Sequence, residues 1–253
     1  MRKYGRLVFM VTLLVLLVLL VGCPSPEPPI VTKTPYSETP SAESPTTEAP
    51  PTETPPTETP PIEDDDPLFD VGDEKPVIYL YPTEPTDVTV LLQYDGELTF
   101  TYPEYNSGWS VTAYPDGTLM NRNDGREYSY LFWEGYSKMN YDFGRGFVVK
   151  GEDSIGFLQE KLSYMGLIPR EYNEFITYWG PKMQDNAYNL ITFQGEAYTD
   201  AAKLIITPAP DSILRVFMAF RPLDEPVEIE EQVLATFNRS GFAVIEWGGR
   251  IVH

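Results

Sequence analysis

The sequence predicts an α+β body carried on an unstructured N-terminal arm. Three observations lead there. After about residue 74 a Pro, Thr, Ser and Glu composition gives way to aromatic-rich sequence. Residues 76–134 then alternate apolar and polar side chains between turn signals, and two later stretches space their apolar residues at the helical period. A run of strands followed by a mixture of helices and strands is the pattern of an α+β protein: an N-terminal antiparallel β-sheet or small sandwich, then a sheet with about three helices.

In chain order, Arg2, Lys3 and Arg6 precede an apolar run, Leu7 to Val21, broken only by Thr12. As a helix this run spans ~22 Å, short of the ~30 Å core of a bilayer. Basic start, apolar middle and small residue before the processing point make residues 1–22 a secretory signal peptide. Leu20-Val21-Gly22-Cys23 resembles the lipobox of bacterial lipoproteins, with Cys23 in the lipidated position. That resemblance implies cleavage before Cys23 and acyl chains, palmitate among them, on the mature N-terminus. It makes the protein a lipoprotein on the extracytoplasmic face of the cell membrane. Two or more chains matter, because a single one holds a protein to a membrane only marginally.

Residues 23–74 comprise the lipid-attachment site and a stalk. The repeat Pro51-Thr52-Glu53-Thr54-Pro55-Pro56-Thr57-Glu58-Thr59-Pro60 offers almost nothing apolar to bury, so the stalk is expected to be disordered and extended. Asp64-Asp65-Asp66 is read as a solvated charge run rather than a calcium site.

The body divides into a β-rich part, 75–140, and an α+β part, 141–253. Strands are expected over 77–81, 87–93, 97–102, 109–114 and 128–133. Asp95-Gly96 marks a hairpin, and turns fall at 115–118 and 121–125. After a short apolar run at 147–149, Asp153 or Ser154 caps a helix whose Ile155, Leu158, Leu162 and Met165 share a face and which Gly166 stops. A second helix starts at Pro169, carries Tyr172, Phe175, Ile176 and Trp179 on one stripe, and ends at Gly180-Pro181. Ile168 is not the polar cap such a start prefers. A third helix is expected over 226–238, with Ile229, Val233, Leu234 and Phe237 at helical spacing and Gly241 beyond its end. Strands at 190–193, 204–207, 213–220 and 241–247 complete the body.

Four segments of this body, Lys75-Pro76-Val77-Ile78-Tyr79-Leu80-Tyr81-Pro82, Tyr130-Leu131-Phe132-Trp133-Glu134-Gly135, Asn173-Glu174-Phe175-Ile176-Thr177-Tyr178-Trp179 and Glu246-Trp247-Gly248-Gly249, are similar to an uncharacterised group of secreted bacterial proteins. The resemblance brings neither an activity nor site residues.

Charge and composition bound the chemistry. Of a net charge of −20, residues 75–253 hold 25 acids against 14 bases, so the mature chain has no basic surface for phosphate neutralisation and no nucleic-acid partner is expected. With one cysteine, Cys23, and one histidine, His253, catalysis through Ser-His or Cys-His pairs and His or Cys metal sites lack their ligands. No metal or cofactor is expected, and no phosphate-binding glycine loop is present. Asn238-Arg239-Ser240 matches a glycosylation acceptor, which a bacterial lipobox makes accidental.

Carboxylates remain. Glu134, Glu174 and Glu246 each lie beside aromatic residues, and a pair of them across a cleft would suit glycoside hydrolysis. Strand ends and an exposed helix face account for the same residues more simply. The preferred reading is a lipid-anchored binding or interaction module without enzymatic activity. Its partners are the membrane, through Cys23, and a cell-wall or extracellular glycan or protein. The alternative is a carboxylate-dependent hydrolase of envelope glycans, and no catalytic residue is assigned.

Overall fold

The computed structural model describes residues 72–253, residue 138 excepted. The signal peptide, Cys23, the stalk and Asp64-Asp65-Asp66 lie outside the described residues.

In chain order the strands are β1 (Glu74–Tyr81), β2 (Thr86–Tyr94), β3 (Gly96–Tyr102), β4 (Trp109–Ala113), β5 (Leu119–Asn121), β6 (Glu127–Tyr128), β7 (Leu131–Ser137) and β8 (Arg145–Lys150). Helices α1 (Ser154–Met165) and α2 (Pro169–Met183) follow. Then come β9 (Tyr188–Gln194), the short α3 (Glu196–Ala201), β10 (Ala202–Thr207), β11 (Ser212–Leu223), β12 (Glu230–Glu231) and β13 (Ala243–Ile251).

The expected α+β class, an N-terminal antiparallel sheet or small sandwich followed by a sheet with about three helices, is overturned. Strands take 46% of the described residues and helices 20%, and the body is built on two sheets. The large sheet runs β12-β8-β9-β11-β13-β1-β7-β3, and the small one β10-β2-β4-β5-β6. Each sheet draws strands from both ends of the chain. The reason is visible at Asp95-Gly96, which is no hairpin: β2 pairs with β10 and β4, whereas β3 pairs with β7. The chain changes sheets there, with the Asp95 N–H donating to Ala201 O. Gly96 passes so close to β7 that a Cβ would lie 2.2 Å from Tyr136 O.

β13, at the centre of the large sheet, is buried on both faces, and its side chains alternate between them. One face places Val244 beside Phe217, Ile78, Leu80, Leu131 and Trp133, against Val88, Val90, Trp109 and Val111 of the small sheet. The other places Ile245 and Trp247 beside Tyr79, Ile191, Met218 and Phe220, beneath Leu158, Leu162, Phe175, Trp179 and Met183 of the two helices. The result is three layers: small sheet, large sheet, helix pair. Each of these buried side chains contributes on the order of 1.5–3 kcal/mol of transfer free energy.

Both expected helices over 153–183 form. α1 ends at Gly166, whose φ of 111° is a left-handed cap that glycine adopts without strain. α2 begins at Pro169 despite Ile168, because the Glu171 carboxylate accepts the Ile168 N–H at 3.0 Å. It runs past Gly180-Pro181 to Met183, and burying Trp179 and Met183 completely offsets the hydrogen bond that Pro181 cannot donate.

The third helix is absent. Residues 224–242 instead form an extended strap that connects the parallel neighbours β11 and β13, with β12 pairing parallel to Arg145 and Gly146 of β8. The predicted stripe does not share a face, since Val233 is 89% exposed while Leu234 and Phe237 pack against the helix-side core. Side chains fix the strap. The Gln232 amide donates to Phe193 O at 2.6 Å and accepts the Phe193 N–H at 2.9 Å, and Arg239 pairs with the fully buried Glu171. Such anchors satisfy polar groups that a helix would have left facing the core.

Candidate functional site: an aromatic groove at the open end of the large sheet

The helix pair covers the middle of the large sheet and leaves its β7-β3 end uncovered. Residues directly opposite in a sheet share a face, so the pairings Phe100↔Glu134 and Tyr102↔Phe132 put all four on the helix side. There Phe100 and Tyr102 are each 55% exposed. Phe100 meets Phe132 edge-on at 5.7 Å between centroids, and Tyr102 meets Tyr128 at 5.0 Å. Tyr130 meets Tyr79 edge-on at 5.5 Å, where the chain passes from the small sheet to the large one.

The flank of α2 forms the opposing wall, because Glu174, Tyr178 and Lys182 recur every four residues along one stripe. Glu174 accepts the Tyr79 hydroxyl at 2.8 Å. Glu74 accepts the Tyr178 hydroxyl at 2.6 Å and the Lys182 ammonium at 2.8 Å. A cavity of about 400 Å³ opens here, lined by Tyr102, Thr118, Glu127, Tyr128, Tyr130 and Glu174.

Lys75 is set by the backbone. Register shifts between Glu74 and Val77 make a bulge in β1, and Lys75 has a φ of 60°. For a non-glycine residue that conformation carries strain, and bulges of this kind re-aim side chains. Its ammonium lies 5.7, 5.3 and 5.5 Å from the Tyr130, Phe132 and Tyr178 ring centres, within cation–π reach of three rings.

Burial dominates the electrostatics. It pushes the Glu134 carboxyl above the usual carboxylate range, with the Lys75 backbone N–H pulling the other way. Burial raises the Tyr79 hydroxyl well above its ordinary value and the Glu174 hydrogen bond adds to that; Tyr178 is raised by burial and by Glu74. These hydroxyls therefore stay protonated donors, and the groove combines flat apolar rings with hydroxyl donors and carboxylate acceptors.

Of the three glutamates singled out in the sequence, the fold brings Glu134 and Glu174 to this groove. Glu246 is elsewhere. It points to the small-sheet side of β13, completely buried, with Arg215 Nε at 2.5 Å and Trp133 Nε1 at 3.4 Å. A carboxylate so enclosed is a structural partner of Arg215. Tyr128 and Tyr130 of the aromatic strand do line the cavity, whereas Trp133 is core. Sequence reasoning missed Glu74, Lys75, Phe100, Tyr102 and Tyr178. The apolar residues of 97–102 marked Phe100 and Tyr102, but a bulge between Leu98 and Phe100 breaks the alternation there, and nothing local says that their face lies beyond the helices. Among the described residues no group of three or more His, Cys, Asp and Glu side chains is placed to hold a metal ion. None of the described helices is long and apolar enough to cross a membrane.

No family model and no solved structure matches the chain. One curated relative is similar to it, the uncharacterised protein in the bglA 3′ region of Butyrivibrio fibrisolvens, 50% identical over 68 residues that make up 25% of this chain and 69% of the relative. On that identity and coverage, the chain belongs to the family of this uncharacterised protein.

Proposed function

We propose that the protein is an extracytoplasmic lipoprotein, anchored through acyl chains on Cys23, whose body binds a cell-wall or extracellular glycan in the aromatic groove. One observation carries the binding reading: Phe100 and Tyr102 hold their rings out to solvent on an edge strand. Flat rings beside hydroxyl donors and carboxylate acceptors suit the apolar faces and hydroxyls of a saccharide. The acids are engaged, Glu174 by Tyr79 and Glu74 by Tyr178 and Lys182, which fits acceptors held for a ligand.

The test is retention of the full chain on cell-wall and polysaccharide preparations. Phe100→Ala and Tyr102→Ala should each weaken retention by roughly fivefold, on the order of 1 kcal/mol per ring. Equal retention by both variants overturns the reading. A second reading, hydrolysis of the same glycans, is favoured by the raised carboxyl of Glu134. Released reducing ends that vanish in Glu134→Gln while retention survives would make Glu134 the proton donor, a change worth ~10²–10⁴ in rate.

A further inference from the structure

We propose that the cavity between the loop after β7 and the ends of β11 and β13 is a separate binding site for a small ligand bearing an oxyanion, a carboxylate or a phosphate. The cavity measures about 480 Å³, within the range of small-molecule sites, and Arg221, Arg250, Tyr141, Phe143, Asn140 and His253 line it.

The strand register brings the two guanidinium groups together. Arg250 pairs with Ala219 across the parallel β11-β13 ladder, so Arg221, two residues on, lies diagonally beside it on the same face. That face is the one Phe217 shares with the small sheet, but here the loop covers it. Tyr141 stacks on Phe217 at 6.0 Å, and the Gln194 amide ties both the N–H and the carbonyl of Asp142 at 3.0 Å.

Aromatic rings orient both cations. The Arg250 guanidinium lies 5.2 Å from the Tyr141 ring centre and that of Arg221 lies 4.9 Å from Phe143. Arg250 also donates to the Tyr141 hydroxyl at 3.3 Å and sits 3.9 Å from the buried Asp73 carboxylate. Arg221 differs. Among the described residues no carboxylate pairs with it, and its Nε is buried without a hydrogen-bond partner. An enclosed donor without an acceptor carries a desolvation penalty that an incoming acceptor relieves. The guanidinium fork matches carboxylate and phosphate oxygens two at a time, and ring stacking on its face leaves the N–H edge for them.

The experiment is calorimetric titration of the full chain with inorganic phosphate and, separately, with succinate, at an ionic strength held constant with sodium chloride. Saturable binding of one or both at one site is expected, and which of them binds names the oxyanion. Arg221→Gln should weaken it about tenfold or more, as loss of a charge-assisted hydrogen bond does, and Arg221→Lys should restore part of it. Both variants should melt with the parent, since among the described residues Arg221 makes no ion pair. Phe100→Ala, in the aromatic groove, should leave this binding unchanged. No saturable binding of either anion below ~10 mM, or an Arg221→Gln variant that binds like the parent, overturns the proposal.

Discussion

Removing Arg215 alone should destabilise the fold far more than removing Arg215 and Glu246 together. The Arg215 side chain is 9% exposed and that of Glu246 is not exposed at all, with 2.5 Å between Nε and Oε2. Arg215 also lies over the Tyr198 ring at 4.9 Å, so the pair is walled by core residues. In Arg215→Met the methionine refills the stem's volume, but the Glu246 carboxylate loses its charged partner and is left with neutral neighbours such as Trp133 Nε1 at 3.4 Å. An uncompensated buried charge of this kind costs about 3–5 kcal/mol, a large part of the ~5–15 kcal/mol by which domains are stable. In Arg215→Met/Glu246→Leu neither charge is buried, and stability should return to within about 1 kcal/mol of the parent or exceed it. Urea denaturation reads both. With a slope near ~2 kcal/mol/M, the single variant should lose roughly 1.5–2.5 M in midpoint and the double variant little. A single variant within about 1 kcal/mol of the parent would show that water reaches Glu246, and would return that residue to the candidates for chemistry.

Three further outcomes are expected, two from the structure and one from the proposed lipid anchor. Asp73 accepts the Tyr94 hydroxyl at 2.5 Å, the Ser137 hydroxyl at 3.2 Å and the Tyr141 hydroxyl, yet burial outweighs these bonds and raises its carboxyl above 3.8. The folded state thus holds the proton more tightly than the unfolded one. That contribution is complete below the unfolded value and lost as pH rises through the folded one, so Asp73→Asn should flatten the fall in urea midpoint above pH ~4, and an unaltered slope would refute the assignment. Gly249→Ala would place a Cβ 2.6 Å from Met218 O and 2.7 Å from the Trp179 ring, so a loss of about 1–3 kcal/mol is expected in thermal unfolding. Cys23→Ser should abolish fatty-acid labelling and release the protein from membranes on fractionation; retention without label would make residues 7–22 an uncleaved anchor.

The sequence by itself determined several of the local elements. Alternation in 87–93, the left-handed stop at Gly166 and the proline start at Pro169 are short-range effects, and each appears in the structure, whereas a bulge between Leu98 and Phe100 breaks the alternation of 97–102. It also limited the chemistry, because one histidine and one cysteine restrict a chain however it folds. Partnership between strands was decided only in three dimensions. Asp95-Gly96 carries a hairpin signal, but β2 pairs with β10 and β4 while β3 pairs with β7, and no local residue records that choice. The strap at 224–242 shows the same limit. Its apolar residues fit a helical stripe, yet the free edge of β8, the Phe193 backbone and the buried Glu171 offer partners that an extended chain alone satisfies. For the candidate site, Glu134 and Glu174 were legible as acids beside aromatics, but their separation from Glu246 was not. Residues one apart on a strand face opposite layers, and which layer is solvent and which is core depends on where the helices end. The groove exists because α2 stops short of β3, a fact of tertiary packing that no single segment contains.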